Sequence, residues 1–144
     1  MDQTYRREDS AGYLTNWAGR LFVRAIERRL AGGNAGPMPV FFALADGGKL
    51  SQKDLARWAS VEQPTMANTL ARMQRDGLII GTTDPADRRS TLISLTPLGQ
   101  EHAEAALKAA GEVNALALGA LGTDERETYL RLLKRVIATL EADG

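Results

Sequence analysis

Apolar positions recur at helical spacing along most of this chain and take on β character in one place only. In GYLTNWAGRLFVRAIERRL, the residues Leu14, Trp17, Ala18, Leu21, Ala25 and Ile26 form one stripe, which predicts an amphipathic helix. The glycines of AGGNAG end it. PMPVFFALADGG predicts a short second helix, with proline in its first turn and Asp46-Gly47-Gly48 at its close. In LSQKDLARWASVEQPTMANTLARMQRDGLII, Ser51 is placed to cap a helix, with Asp54 three residues on as the partner in an imperfect capping box. Leu55, Ala56 and Ala59 make the inward stripe of that helix. A tight turn at Ala59 to Glu62 leads to another helix, which tolerates Pro64 in its first turn and runs to about Asp76, where Gly77 stops it. Two helices joined so closely match the helix-turn-helix unit.

The β pattern follows at once. LIIGTT and STLISL are short, β-branched and bounded by turn residues, so they predict a hairpin, and DPADRR makes its tip too long for a two-residue turn. Thr96 is then expected to cap, and Pro97 to open, an alanine-rich helix running to about Leu121. Gly122 breaks that helix and Thr123 is expected to cap the last one, where Tyr129, Leu132, Leu133, Val136 and Leu140 recur at helical steps. Helix, helix, two-stranded hairpin is the order of a winged helix-turn-helix. The fold class expected is mainly α, with a small β component (α+β), and helices flanking that unit at both ends.

Composition narrows the chemistry. With 144 residues, 44% hydrophobic and 25% charged, the chain suits one folded domain. It has no cysteine, which excludes disulfides, thiolate catalysis and cysteine-bound metal. The only histidine, His102, has no second histidine or carboxylate cluster to work with, so no metal site or triad assembles, and neither an enzyme nor a cofactor is expected. No apolar h-region opens the chain and no run has the length of a membrane span, which makes a cytoplasmic location the expectation and a membrane partner not. Net charge is zero, yet Arg20, Arg24, Arg28 and Arg29 gather in the first helix and Arg72, Arg75, Arg88 and Arg89 in the middle, so a basic face survives neutrality.

On a wheel of about 100° per residue, Met66, Leu70 and Met73 fall on one side of the second helix of the pair and Thr65, Asn68, Thr69 and Arg72 on another. Arginine reads guanine, asparagine reads adenine and a threonine methyl touches thymine, while Gln63 stands at the helix start, where recognition helices reach bases. Taken alone, such a face equally describes a solvated surface. Followed by the hairpin, it describes double-stranded DNA binding, with Arg89 drawn to a narrow minor groove, Asp87 holding its guanidinium by a bidentate pair, and Arg88 on phosphate or in water. The alternative for the tip is that Asp84 and Asp87 only neutralise the arginines. The alternative for the whole is a winged-helix protein-interaction module that binds no DNA. Trp58, in the first helix of the pair, is expected to be buried or partly buried; the alternative is a place near the phosphate backbone.

LSQKDLARWASVEQPTMANTLARMQRDGLIIGTTDPADRRSTLISLTPLGQE resembles the core of the MarR (multiple antibiotic resistance regulator) transcription factors. The resemblance rests on Leu50, Leu55-Ala56, Thr65, Leu70 to Met73, Gly77-Leu78-Ile79, Asp84-Pro85-x-Asp87-Arg88-Arg89 and Leu95-Thr96-Pro97-x-Gly99. It implies a sequence-specific regulator, a ligand-responsive repressor, that binds a pseudo-palindromic operator as a homodimer. It implies a single chain, 1–144, with a DNA-binding lobe at 37–96 and dimerisation helices at 10–32 and 97–142. Leu14, Leu21 and Ile26 at one end, and Leu133, Ile137 and Leu140 at the other, suit the dimer interface or an intrachain core. By position the family roles fall on Asn68, Thr69 and Arg72 in the recognition helix and on Arg89, oriented by Asp87, at the wing tip. Many relatives respond to small aromatic or anionic effectors, for which Tyr13, Trp17, Met38 and Phe42 are candidate pocket residues; ordinary core packing is the other account of those four.

Overall fold

A computed structural model describes residues 4–144. The first long helix, α1 (Ala11–Glu27), starts where the Ser10 hydroxyl accepts the Tyr13 N–H at 3.2 Å, and a short 3-10 turn at Arg7–Asp9, unmarked by any apolar pattern, precedes it. After α1, Gly32 and Gly33 take positive φ, of 86° and 63°, which breaks the helix where AGGNAG predicts. The short helix α2 (Met38–Leu44) carries Pro39 in its first turn. Its exit turn is closed by the Asp46 carboxylate, which accepts the Gly48 N–H at 3.0 Å.

Strand β1 (Leu50–Ser51) comes next and had no signal in the sequence pattern; two residues are too few to show alternation. Helix α3 (Gln52–Ala59) begins with the expected cap, the Ser51 hydroxyl accepting the Asp54 N–H at 3.1 Å. The Asp54 carboxylate itself approaches the Arg57 guanidinium at 3.8 Å. Ser60 takes the left-handed conformation at φ 55°, and the chain re-enters a helix at once, giving the tight turn before α4 (Gln63–Arg75).

Strands β2 (Ile79–Thr83) and β3 (Thr91–Leu95) form the predicted hairpin, in register Ile79 to Leu95, Gly81 to Ile93 and Thr83 to Thr91. β1 pairs with the other edge of β3, so the sheet is three-stranded and antiparallel, in the order β1-β3-β2, rather than two-stranded. Helix α5 (Pro97–Ala117) follows, with the Thr96 hydroxyl accepting the Gly99 N–H at 3.0 Å as its cap. α5 stops at Ala117, short of the expected Leu121; Leu118 to Leu121 form turns, with Gly119 N–H on Leu116 O at 3.1 Å. Helix α6 (Thr123–Asp143) is capped one residue earlier than expected: Gly122 is the N-cap, and its N–H donates to the Glu125 carboxylate at 2.8 Å, so Thr123 is the first helical residue.

The chain divides into two compact units, residues 1–111 and 112–144. In the first, Val40, Leu44, Leu55 and Met73 are the largest fully buried side chains, joined by Met38, Phe41, Ala56, Met66, Leu70, Leu78, Ile79, Ala103 and Ala106. The inward stripes predicted for α3 and α4 are this core; Ala59 is only half-buried against it. α1 differs: Ala25 is buried and Ile26 half-buried, but Leu14, Trp17 and Leu21 stand 41%, 52% and 49% exposed. In the second unit α6 has no buried residue, and Leu130, Leu132, Val136, Ile137 and Leu140 are all exposed, Leu140 by 66%. These helices hold far more uncovered apolar surface than scattered surface residues explain.

Candidate nucleic-acid interface

α4 separates its faces cleanly. Met66, Leu70 and Met73 are buried, while Gln63, Thr65, Asn68 and Arg72 are exposed. Thr69 is half-buried, and its hydroxyl donates to the Thr65 carbonyl at 3.2 Å, which spends the donor on the helix itself. From Gln63 to Arg72 the helix rises about 14 Å, the length of about four base pairs. The α4 N-cap, Glu62, gives no side-chain hydrogen bond, and Pro64 has no N–H, so the amides of Gln63 and Thr65 are the first-turn donors that meet an approaching acceptor.

The wing tip, residues 84–90, is built from two aspartate-closed turns. Asp84 Oδ1 accepts the Ala86 N–H at 2.9 Å, and Asp87 Oδ1 accepts the Arg89 N–H at 3.1 Å. Backbone bonds from Asp84 N–H to Ser90 O at 2.9 Å and from Ser90 N–H to Asp87 O at 2.9 Å close the loop. Both aspartates therefore shape the tip instead of only neutralising its arginines. The expected bidentate pair is absent: Arg89 reaches Asp87 through Nε alone, at 3.5 Å, on the same Oδ1 that accepts the Arg89 backbone N–H. The Arg89 side chain remains 93% exposed. Arg72 and Arg88 are exposed and make no ion pair among the described residues.

A cleft of about 670 Å³ lies between the start of α3, one side of α4 and the wing, with Lys53, Gln74 and Arg89 among its lining. α4 lines this cleft with Ala67, Leu70, Ala71 and Gln74, so Gln63, Thr65, Asn68 and Arg72 lie outside it, although α4 and the wing belong to the same compact unit. Trp58, by contrast, is 54% exposed on α3, not buried as expected. At about 100° per residue it sits roughly 100° from the mean direction of Leu55, Ala56 and Ala59, so the core never meets it.

The four residues expected to line an effector pocket line none of three clefts in the chain, that beside the wing included. Met38 is buried in the core and Phe42 packs half-buried against it. Tyr13 and Trp17 are exposed on α1, their rings edge to face with centroids 6.3 Å apart. Two further clefts, of about 470 and 480 Å³, are lined by other residues. The second holds exposed His102 with Asp76 and Glu101, and no group of acidic, histidine or cysteine side chains among the described residues is arranged to bind a metal.

Known proteins match both the sequence and this arrangement. A family model described as MarR family matches residues 37–90. The HTH-type transcriptional repressor NicR of Pseudomonas putida is 32% identical over 102 residues, covering 71% of this chain and 65% of NicR, so the chain spans about two-thirds of that relative's length. The transcriptional regulator HosA of Escherichia coli O111:H- is 33% identical over 98 residues, covering 68% of this chain and 73% of HosA. Among solved structures, Bordetella bronchiseptica BpsR, whose DNA binding is regulated by 6-hydroxynicotinic acid, superposes with a TM-score of 0.81 at 27% identity, covering 92% of this chain and 96% of that one.

Proposed function

Since the chain belongs to the MarR family, we propose that it is a sequence-specific DNA-binding transcriptional regulator, a ligand-responsive repressor that binds a pseudo-palindromic operator as a homodimer. The observation that carries this is the exposed face of Gln63, Thr65, Asn68 and Arg72 beside a wing whose Arg89 is 93% exposed and whose tip is held in shape by aspartates. Residues 37–96 are the DNA-binding lobe. The helices at 10–32 and 97–142 dimerise, which gives the uncovered Leu14, Leu21, Ile137 and Leu140 a partner.

In this assignment Arg72 and Asn68 read base edges, Gln63, Thr65 and Thr69 add contacts along the groove, Arg89 enters the minor groove and Arg88 meets phosphate. A small aromatic or anionic effector belongs to the same proposal. BpsR's regulation by 6-hydroxynicotinic acid supports it, and the exposed Tyr13–Trp17 ring pair is the part of the expected pocket still open to a ligand. No described helix is long and apolar enough to cross a membrane, and a cytoplasmic site of action is part of the proposal. No catalytic role is assigned.

The test is DNA retardation at graded salt, with the promoter region next to the chain's own gene and with fragments selected from genomic DNA. About five phosphate contacts per dimer give a log–log slope of roughly −4.5, so affinity should fall by about 10²–10³ from 50 to 200 mM salt. No retardation at low salt sinks the regulator and leaves the protein-interaction module. A second expectation isolates the tip. Asp87→Asn keeps an oxygen for the Arg89 N–H but drops the charge, so it should bind DNA within about twofold of the parent. Asp87→Ala removes the cap and should weaken binding by roughly fivefold, about the effect of one lost hydrogen bond. Equal loss in both variants would mean that charge, not turn geometry, is what Asp87 supplies.

A further inference from the structure

The recognition helix does not end in a loose linker. Gly77 takes φ 74° and its N–H donates to Gln74 O at 3.1 Å, while the Leu78 N–H donates to Met73 O at 2.9 Å. These are the two bonds of a Schellman motif, with Leu78 and Met73 both buried beside it. The next two carbonyls are taken by a single residue. Thr96 Oγ1 donates to Gly77 O at 2.6 Å, and Thr96 N–H donates to Leu78 O at 3.0 Å. The same Oγ1 accepts the Gly99 N–H at 3.0 Å. One hydroxyl therefore closes the end of α4 and caps the start of α5.

Two neighbours stiffen this clasp. Gly99 is buried, and a Cβ there would overlap the Leu78 carbonyl oxygen, so the first turn of α5 lies directly on the chain leaving α4. Gln100 Nε2 donates to Ala45 O at 3.2 Å, tying the same turn to the end of α2. Met73, Leu78, Ala103 and Ala106 share the hydrophobic core here, and their apolar contacts are non-directional. The clasp extends the β2–β3 ladder one step past Ile79–Leu95 and adds the directional hydroxyl bond that joins the end of α4 to the start of α5.

We infer that Thr96 is a positioning residue: it sets the angle between recognition helix and α5, and so the half-site spacing that the dimer accepts. The inference rests on the proposed function, in which two copies present their recognition helices about 34 Å apart and α5 belongs to the dimerisation part. Within the first compact unit, α5 leaves Thr96 as regular helix through Gly111, so the angle set at Thr96 is the angle at which α5 leaves the recognition helix. DNA turns by roughly 34° per base pair, which makes spacing a sensitive readout of that angle.

Three variants separate the two bonds of the hydroxyl. Thr96→Ser keeps both. Thr96→Asp keeps an oxygen for the Gly99 N–H, as a good N-cap, but as an ionised acceptor it cannot donate to Gly77 O. Thr96→Val loses both and approximates the shape. Each is measured by DNA binding to a selected operator and to versions with the half-sites one base pair closer or farther, with circular dichroism to confirm folding. The parent and Thr96→Ser should discriminate the correct spacing strongly. Thr96→Asp should fold like the parent yet lose at least about threefold of that discrimination, with non-specific binding unchanged, and Thr96→Val, where it folds, should follow it. If Thr96→Asp keeps the parent's spacing preference, Thr96 is a cap and nothing more, and the inference is overturned. If the parent retards no operator at any spacing, the regulator reading itself falls, which is a separate result.

Discussion

Replacing Arg72 with alanine is expected to cost about 1–3 kcal/mol per half-site, or roughly 5- to 150-fold in affinity, and to flatten the preference at one base pair. Arg72 is exposed on the same face of α4 as Asn68 and forms no ion pair among the described residues, so its guanidinium is free to take a bidentate acceptor. Only guanine offers that pair in the major groove. Two copies on a palindrome double the free-energy effect. Arg89→Ala is the necessary contrast. Its side chain stands at the wing tip, 93% exposed, and a narrow groove attracts it by potential more than by base pattern. Its loss should weaken binding, leave the base ranking at the major-groove positions largely intact, and lower the salt slope by about 0.9 per contact removed. The measurement is a full set of single-base operator variants titrated with each mutant. If Arg72→Ala lowers affinity uniformly and leaves the ranking of bases intact, Arg72 touches phosphate and the direct-readout assignment is wrong.

What the sequence disclosed depended on the range of the interaction. Met66, Leu70 and Met73 are buried, and Thr65, Asn68 and Arg72 exposed, as a helical wheel dictates, because each position answers to its own element. The caps at Ser51 and Thr96 are equally local, spanning three residues each. Strand β1 was invisible because it exists only through its pairing with β3, some 40 residues on. The bidentate Asp87–Arg89 pair was legible as a spacing but not as a geometry: the carboxylate turns to cap the Arg89 backbone N–H, and only Nε of the side chain meets the same oxygen. Trp58 failed for the opposite reason. The stripe of Leu55, Ala56 and Ala59 already placed it off the core, and the general preference of tryptophan for burial overrode a positional signal that was correct. The effector pocket asked most of the sequence, since its four residues come from different segments: Met38 and Phe42 sit in or against the core, while Tyr13 and Trp17 stand exposed on α1.

Gly99→Ala is expected to be among the most damaging conservative changes in the chain. Glycine in the first turn of a helix is ordinarily replaceable, and alanine, the best helix former, would gain roughly 0.5–1 kcal/mol there. At this position the added methyl would overlap the Leu78 carbonyl oxygen, which is backbone held by the Thr96 N–H and cannot rotate aside. Relief requires α5 to move off the chain leaving α4. That movement breaks the Thr96 bonds to Gly77 and Leu78 and opens the core that Leu78 shares with Ala103 and Ala106. Overpacking costs about 1–3 kcal/mol and occasionally more, and here the loss of the Thr96 hydrogen bonds adds about 1 kcal/mol each, so the net is about 3 kcal/mol or beyond. For a chain of this size that lowers Tm by roughly 6–12 °C, measured at fixed protein concentration because dimer formation makes Tm concentration-dependent. Gly111→Ala is the control: it is also a helical glycine of α5, but no atom lies within 4 Å of the added Cβ, so it should leave Tm unchanged or raise it. Equal Tm values for the two alanine variants would mean that the contact between Gly99 and Leu78 is looser than the structure has it, and the clasp at Thr96 would lose its rigid neighbour.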